Sequence, residues 1–218
     1  MIFKLFGIKF QITVPFAVLM AFLLITDKTG LMSASLTAIL VHELGHIFAM
    51  KLLKTAPKEI LFRSGGLMIV GKTFLTSKEA LIVALAGPIT NLIFSAVFFA
   101  IGAITETYII LCFSAVQFLI GAINLFPVKG LDGGTVLKQA LMYLNCKNKE
   151  ILLSLISIFT SAVVTVVGLA VAVRNVSNPS LLLLGIYLVI LNLIKYWRKD
   201  RHQRLNSRSS HPAAFQYR

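Results

Sequence analysis

Charged residues are scarce in this chain of 218 residues. They make up 13% of the sequence and hydrophobic residues make up 57%. An average soluble domain carries about 25% charged residues. This composition excludes an ordinary soluble domain, and several apolar stretches approach the roughly 20 residues that cross a bilayer. The sequence therefore predicts a multi-pass protein of the cell membrane.

Acidic residues and cysteines are scarcer still. Eight Asp and Glu residues stand against 21 Lys and Arg residues, and there are two cysteines. Cys112 and Cys146 form no CxxC pair, which excludes a cysteine-ligated zinc ribbon. The basic residues lie at the ends of apolar segments and in the C-terminal tail. Such charges set topology and face lipid headgroups, so the net charge of +13 indicates a lipid bilayer as partner and no nucleic acid.

Six apolar segments predict an all-α polytopic membrane protein. We expect spans at about residues 12–25, 31–53, 80–104, 108–126, 151–173 and 181–194. This layout places every basic residue except Lys28 and Arg174 on the side of the two termini. The positive-inside rule then predicts cytoplasmic N- and C-termini. We interpret residues 1–194 as one domain and 195–218 as a basic cytoplasmic tail.

The connection between the second and third spans has a different pattern. β-branched and aromatic residues flank Ser64-Gly65-Gly66, which predicts a short membrane-associated β-hairpin. One hypothesis is that an exposed edge of this hairpin binds a substrate as an added strand. The alternative is a membrane-surface loop with no role in substrate binding.

The second predicted span contains an HExxH motif, His42-Glu43-Leu44-Gly45-His46. Residues four apart share one face of a helix, so both imidazoles can ligate a single ion. Glu43 is then placed to act as general base, and Gly45 would let another element approach closely. Ionisable groups inside a bilayer each cost about 2.5–3.5 kcal/mol, a cost that a bound metal offsets. This favours one Zn²⁺ per chain over the alternative of polar residues satisfied by neighbouring helices.

A catalytic zinc site needs a third protein ligand. The other two histidines lie in the tail, and six of the remaining acidic residues lie in connections or at span ends. Elimination leaves Asp132, in Leu131-Asp132-Gly133-Gly134 after the fourth predicted span. Its flanking glycines suit a backbone that turns back towards the bilayer. The alternative is an Asp that only caps a helix.

Three motifs in this order resemble those of the site-2 proteases, a family of intramembrane zinc metalloproteases. These are the HELGH sequence, the stretch Ala86-Gly87-Pro88-Ile89-Thr90-Asn91, and Asn124-Leu125-Phe126-Pro127 leading to Asp132. The six-span layout is similar to the sporulation branch of the family, whose substrate is the membrane-associated pro-sequence of a sigma factor. The resemblance covers residues 10–195. The segment between Pro127 and Asp132 is longer than the family's compact N-P-D-G string, and a basic tail stands where the sporulation branch often carries a nucleotide-sensing domain.

The resemblance implies hydrolysis of membrane-associated protein substrates within the bilayer, as in regulated intramembrane proteolysis. It implies zinc ligation by His42, His46 and Asp132, with Glu43 as the catalytic base. It also implies substrate binding by Asn124, Pro127 and Asn91, although Asn91 is equally suited to hydrogen bonding between helices. An inhibitory membrane partner follows by the same analogy. The alternative function is a membrane metal transporter that uses the buried His and Glu as a translocation site.

Overall fold

The computed structural model of the chain describes residues 2–5, 8–55, 59–63, 66–70, 75–174 and 179–209. This part of the chain is mostly helical and divides into two compact units. The first unit runs to Phe126 and includes Gln139–Asn145; the second contains Pro127–Lys138 and the residues from Cys146 on.

The first unit carries a four-stranded sheet and four helices. In chain order these are β1 (Ile2–Leu5), β2 (Ile8–Ile12), α1 (Val14–Thr26), α2 (Leu31–Leu52), β3 (Glu59–Arg63), β4 (Gly66–Val70), α3 (Ser77–Thr105) and α4 (Tyr108–Asn124). The helix α5 (Asp132–Tyr143) begins in the second unit and ends in the first. The second unit holds α6 (Lys149–Arg174) and α7 (Ser180–Ser209), which pack along each other.

The strands pair in the order β1-β2-β3-β4. β3 and β4 form an antiparallel pair at the position of the predicted hairpin, with Leu61 opposite Met68. The Ser64-Gly65 part of the expected turn lies outside the described residues. β1 and β2, which the sequence did not predict, form another antiparallel pair, and β2 runs parallel to β3 with Phe10 opposite Ile60. Ile12 therefore ends a strand instead of beginning the first span.

Among the described residues, three helices are long and apolar enough to cross a membrane. They are α2, α3 and α6, and they coincide with the second, third and fifth predicted spans. α4 and the apolar part of α7, Ser180–Ile194, are shorter. α1 has 13 residues, about 20 Å of helix against a hydrocarbon core of about 30 Å. These apolar helices indicate a membrane protein. The six-span layout stays a prediction. α7 also continues beyond residue 194, where we expected a separate tail, and ends at Ser209.

The turn before α2 is fixed by one carboxylate. Asp27 accepts hydrogen bonds from the backbone amides of Thr29, Gly30 and Ser33 and from the hydroxyls of Thr29 and Ser33. Gly30 follows with a φ of 74°, in the left-handed region that glycine occupies at no steric cost. These bonds supply partners to amides that have none within the first helical turn. They fix where the helix carrying the HExxH motif begins.

Candidate metal centre

The two histidines of the motif lie on the face of α2 that packs against α3. His42 is buried and His46 is half-buried, while Leu44, on the opposite face, is 55% exposed. The Nε2 atoms of His42 and His46 are 3.1 Å apart, and their rings meet edge to face. Two nitrogens bound to one tetrahedral zinc ion, each about 2.05 Å from it, lie about 3.3 Å apart. The pair therefore has the spacing that a shared ion requires.

The orientation of the His46 ring is set by the backbone of α3. Its Nδ1 lies 2.7 Å from the carbonyl oxygen of Val83. A carbonyl only accepts, so Nδ1 carries the proton and the lone pair is on Nε2, the atom that faces His42. Zinc-ligating histidines commonly donate their second N–H to a backbone carbonyl in this way. Of the contacts of His46, this hydrogen bond most specifically indicates a metal ligand.

Two glycines allow α2 and α3 to approach at the histidines. A Cβ at Gly87 would lie 2.8 Å from His42 Nε2 and 2.6 Å from His46 Cε1, with His46 Nε2 closer still. A Cβ at Gly45 would lie 2.8 Å from the Ala86 carbonyl oxygen. The prediction that Gly45 permits a close approach is therefore confirmed. Gly87 leaves an opening at the Nε2 atoms of His42 and His46 that any larger residue would fill.

Asp132 is the first residue of α5. It belongs to the second unit, whereas both histidines belong to the first, so its role as the third ligand stays a prediction. Gly134 lies two residues after Asp132, and a Cβ there would lie 2.7 Å from the carbonyl carbon of Val128. Gly134, one of the two glycines that suggested a turning backbone, thus lies against the Val128 backbone near the start of α5.

Glu43 is half-buried and adjacent in sequence to His42. At 100° per residue its side chain leaves α2 about 60° around the helix from that of His46. It therefore flanks the histidine face and stays out of the row of ligands, as a base acting on water beside the metal must.

The three residues assigned to substrate binding have different surroundings. Asn91 is completely buried, and its Nδ2 donates to the Ala38 carbonyl of α2 at 3.2 Å. Asn124, the last residue of α4, donates from Nδ2 to the carbonyl of Ile120 at 2.9 Å. Pro127 is half-buried. For Asn91 the observed bond is the one between helices that the sequence allowed, one turn from Gly87.

The donor set fits zinc better than other common divalent ions. With Asp132 as the predicted third ligand, it would offer two imidazole nitrogens and one carboxylate oxygen, as in catalytic zinc sites with three protein ligands and a fourth open position. Mg²⁺ and Ca²⁺ prefer sites made of oxygen atoms.

Sequence reasoning missed the Val83 carbonyl and the role of Gly87. A backbone carbonyl has no signature in residue type. Gly87 did have a signal, because it stands directly before Pro88 inside an otherwise regular apolar span. Such an isolated glycine inside a helix often marks close packing.

No family model matches this chain, and no curated protein matches its sequence. A search of solved structures gives a match to the site-2 protease from Methanocaldococcus jannaschii. The two are 18% identical, the match covers 99% of this chain and 97% of the other, and the TM-score is 0.53. The likeness establishes a shared fold along nearly the whole of both chains.

Proposed function

We propose that this chain, which has the fold of a site-2 protease, is an intramembrane zinc metalloendopeptidase acting on membrane-associated proteins. The observation that carries the proposal is the His42–His46 pair, with Nε2 atoms 3.1 Å apart and one ring oriented by the Val83 carbonyl. A purely structural pair would not need Glu43 beside it in the HExxH spacing. The match in fold supports the same conclusion.

His42, His46 and Asp132 would hold the zinc ion. When bound, zinc supplies a Lewis acid that polarises both water and the scissile carbonyl. Glu43 accepts the proton from the attacking water and delivers it to the leaving amine. The Val83 carbonyl keeps His46 in the tautomer whose Nε2 accepts a metal.

The arrangement in the membrane is part of the proposal. We propose six spans with both termini in the cytoplasm of a multi-pass cell-membrane protein, because all but two basic residues then lie on one side. A 13-residue α1 can cross only where the bilayer thins locally, an adjustment that short hydrophobic segments cause at modest cost. The zinc site then lies in the cytoplasmic half, since His46 precedes Lys51 by five residues, roughly 8 Å of helix.

Substrate presentation involves the sheet. β4 is an edge strand, so its outer backbone groups can pair with an added strand. A peptide bond must leave its helix before it can be attacked, and an added strand is extended. Asn124 and Pro127 would hold that strand near the metal, as the family resemblance implies. A pro-sigma factor processed during sporulation is the substrate class suggested by the branch it resembles, with an inhibitory membrane partner as regulator.

The test is Glu43→Gln in the full-length chain, reconstituted with candidate single-span substrates. We expect zinc content equal to that of the parent chain and no cleavage, because only the base is removed. Glu106→Gln, at an exposed residue of the turn after α3, is the matched control and should cleave normally. Cleavage that survives Glu43→Gln, or metal flux through vesicles without proteolysis, would favour the transporter instead.

A further inference from the structure

The segment that leads into Asp132 is a compact turn. Val128 is completely buried and Leu131 is nearly so. The Leu131 amide donates to the Val128 carbonyl at 3.1 Å, across Gly130 with its φ of 108°. We call Val128–Leu131 the ligand turn. Its Lys129 and Gly130 are the residues that lengthen this segment relative to the family's shorter string.

The ligand turn is bonded to a polar group inside the α6–α7 pair. The backbone amide of Lys129 donates to Ser157 Oγ at 2.9 Å. The Ser157 hydroxyl in turn donates to Asn192 Oδ1 on α7. Asn192 Nδ2 donates to Ser161 Oγ at 2.8 Å, and the Ser161 hydroxyl donates to the Ser157 carbonyl at 2.9 Å.

Donors and acceptors alternate in a single direction along this network, because each hydroxyl accepts one hydrogen bond and donates one. The Asn192 amide is oriented by the same constraint, since its oxygen must face Ser157 and its nitrogen Ser161. Ser157 and Ser161 are 0% and 1% exposed. Such a fully satisfied buried network defines one geometry, whereas a partly satisfied one would be costly.

Contact between helices alone does not account for this network. α6 and α7 already approach closely at Gly168 and Gly185, where an added Cβ would lie 2.6 Å from backbone atoms of the facing helix. Small residues of this kind are sufficient for packing between membrane helices. Packing leaves one member of the network unexplained, the Lys129 amide, because it belongs to neither helix.

We propose that Ser157 and Asn192 are positioning residues for Asp132, an inference that rests on the zinc site of the proposed function. They hold the ligand turn three residues before Asp132. The close contact between Val128 and Gly134 holds the turn again two residues after it. The backbone is thus fixed on both sides of Asp132. The carboxylate can therefore bind zinc without a rearrangement of the backbone.

The test measures zinc affinity of the full-length chain in detergent, by competition with a chelator. Ser157→Ala removes the acceptor of the Lys129 amide and should weaken zinc binding about tenfold, as loss of groups that orient ligands commonly does. The absorption spectrum of the Co²⁺-substituted protein should change with it, because the ligand geometry changes. Ser154→Ala is the matched control, since Ser154 contacts the same lysine only through Nζ, at 2.5 Å. It should stay within about twofold of the parent chain, because no backbone bond of the turn is lost.

Asn192→Ala is the second variant and carries the test if Ser157→Ala does not fold. It removes the acceptor that orients the Ser157 hydroxyl and should weaken zinc binding in the same direction. Unchanged zinc affinity and an unchanged cobalt spectrum in the folded variants, with zinc bound by the parent chain, would overturn the inference and leave the proposed function standing. A parent chain that binds no zinc, with Asp132→Asn equally without effect, would refute the proposed function itself.

Discussion

Gly87→Ala tests whether zinc binding needs the space that Gly87 of α3 leaves beside the two histidines. The added Cβ would lie 2.6 Å from His46 Cε1, whereas ordinary carbon contacts begin near 3.4 Å. The ring must therefore move by about 0.8 Å, or α2 and α3 must separate by that much. Metal sites tolerate errors of about 0.2 Å in ligand distance, so this displacement is several times too large. We expect zinc affinity to fall at least tenfold.

Stability should change far less than zinc affinity. Crowding a packed site costs about 1–3 kcal/mol. Replacing a helical glycine by alanine stabilises the helix by about 0.8–1 kcal/mol, because alanine has the higher helix propensity. The net loss of about 0–2 kcal/mol leaves the apo chain folded.

Gly102→Ala is the matched control, because Gly102 is also a buried glycine of α3. Its Cβ would meet the end of the Leu111 side chain at 2.8 Å, and that side chain can rotate away. Chelator competition on both variants, with helicity followed by circular dichroism, gives the comparison. If the two variants bind zinc equally well, the opening at Gly87 is not what positions the histidines.

Two further predictions concern the turn before α2 and the edge strand β4. Bonds from Ser33, and then from Thr29, lower the pKa of Asp27 to about 2, below its ordinary 3.8. Its stabilising effect is therefore complete above pH 3.8 and is lost as the pH falls towards 2. The difference in Tm between the parent chain and Asp27→Asn should shrink over that range, and a constant difference would contradict this. Proline at Leu67 and at Met68, tested in parallel, should reduce cleavage at unchanged zinc content. Alternate amides of the edge strand β4 point away from the sheet, so one variant removes an outward donor while the β3–β4 bonds remain. Normal cleavage by both would remove the sheet from substrate binding.

The features predictable from sequence were those that depend on neighbours along the chain. The apolar lengths placed α2, α3, α4 and α6 within a few residues of their observed bounds. The four-residue spacing of His42 and His46 placed both on one face of α2, because helical periodicity is local. The choice of Asp132 as third ligand rests on elimination among few carboxylates, and it stays a prediction.

The features that escaped prediction depend on distant pairing. Nothing near Ile12 indicates that β2 pairs with β3, about 50 residues later. The helix α5 was missed for a different reason: it opens with Gly133 and Gly134, which disfavour helix, and its apolar spacing was overlooked. The bond from Lys129 to Ser157 joins residues 28 apart through a backbone amide, which residue type does not encode.

The bond between His46 and the Val83 carbonyl also bears on the order in which the site is assembled during synthesis. Both histidines and the carbonyl that orients His46 belong to α2 and α3, which leave the ribosome well before Asp132. The two proposed nitrogen ligands can thus be in place while the third is still unmade. In the proposed site, full metal affinity would arise only when the ligand turn forms, so the zinc content of the chain would report whether its later half has folded.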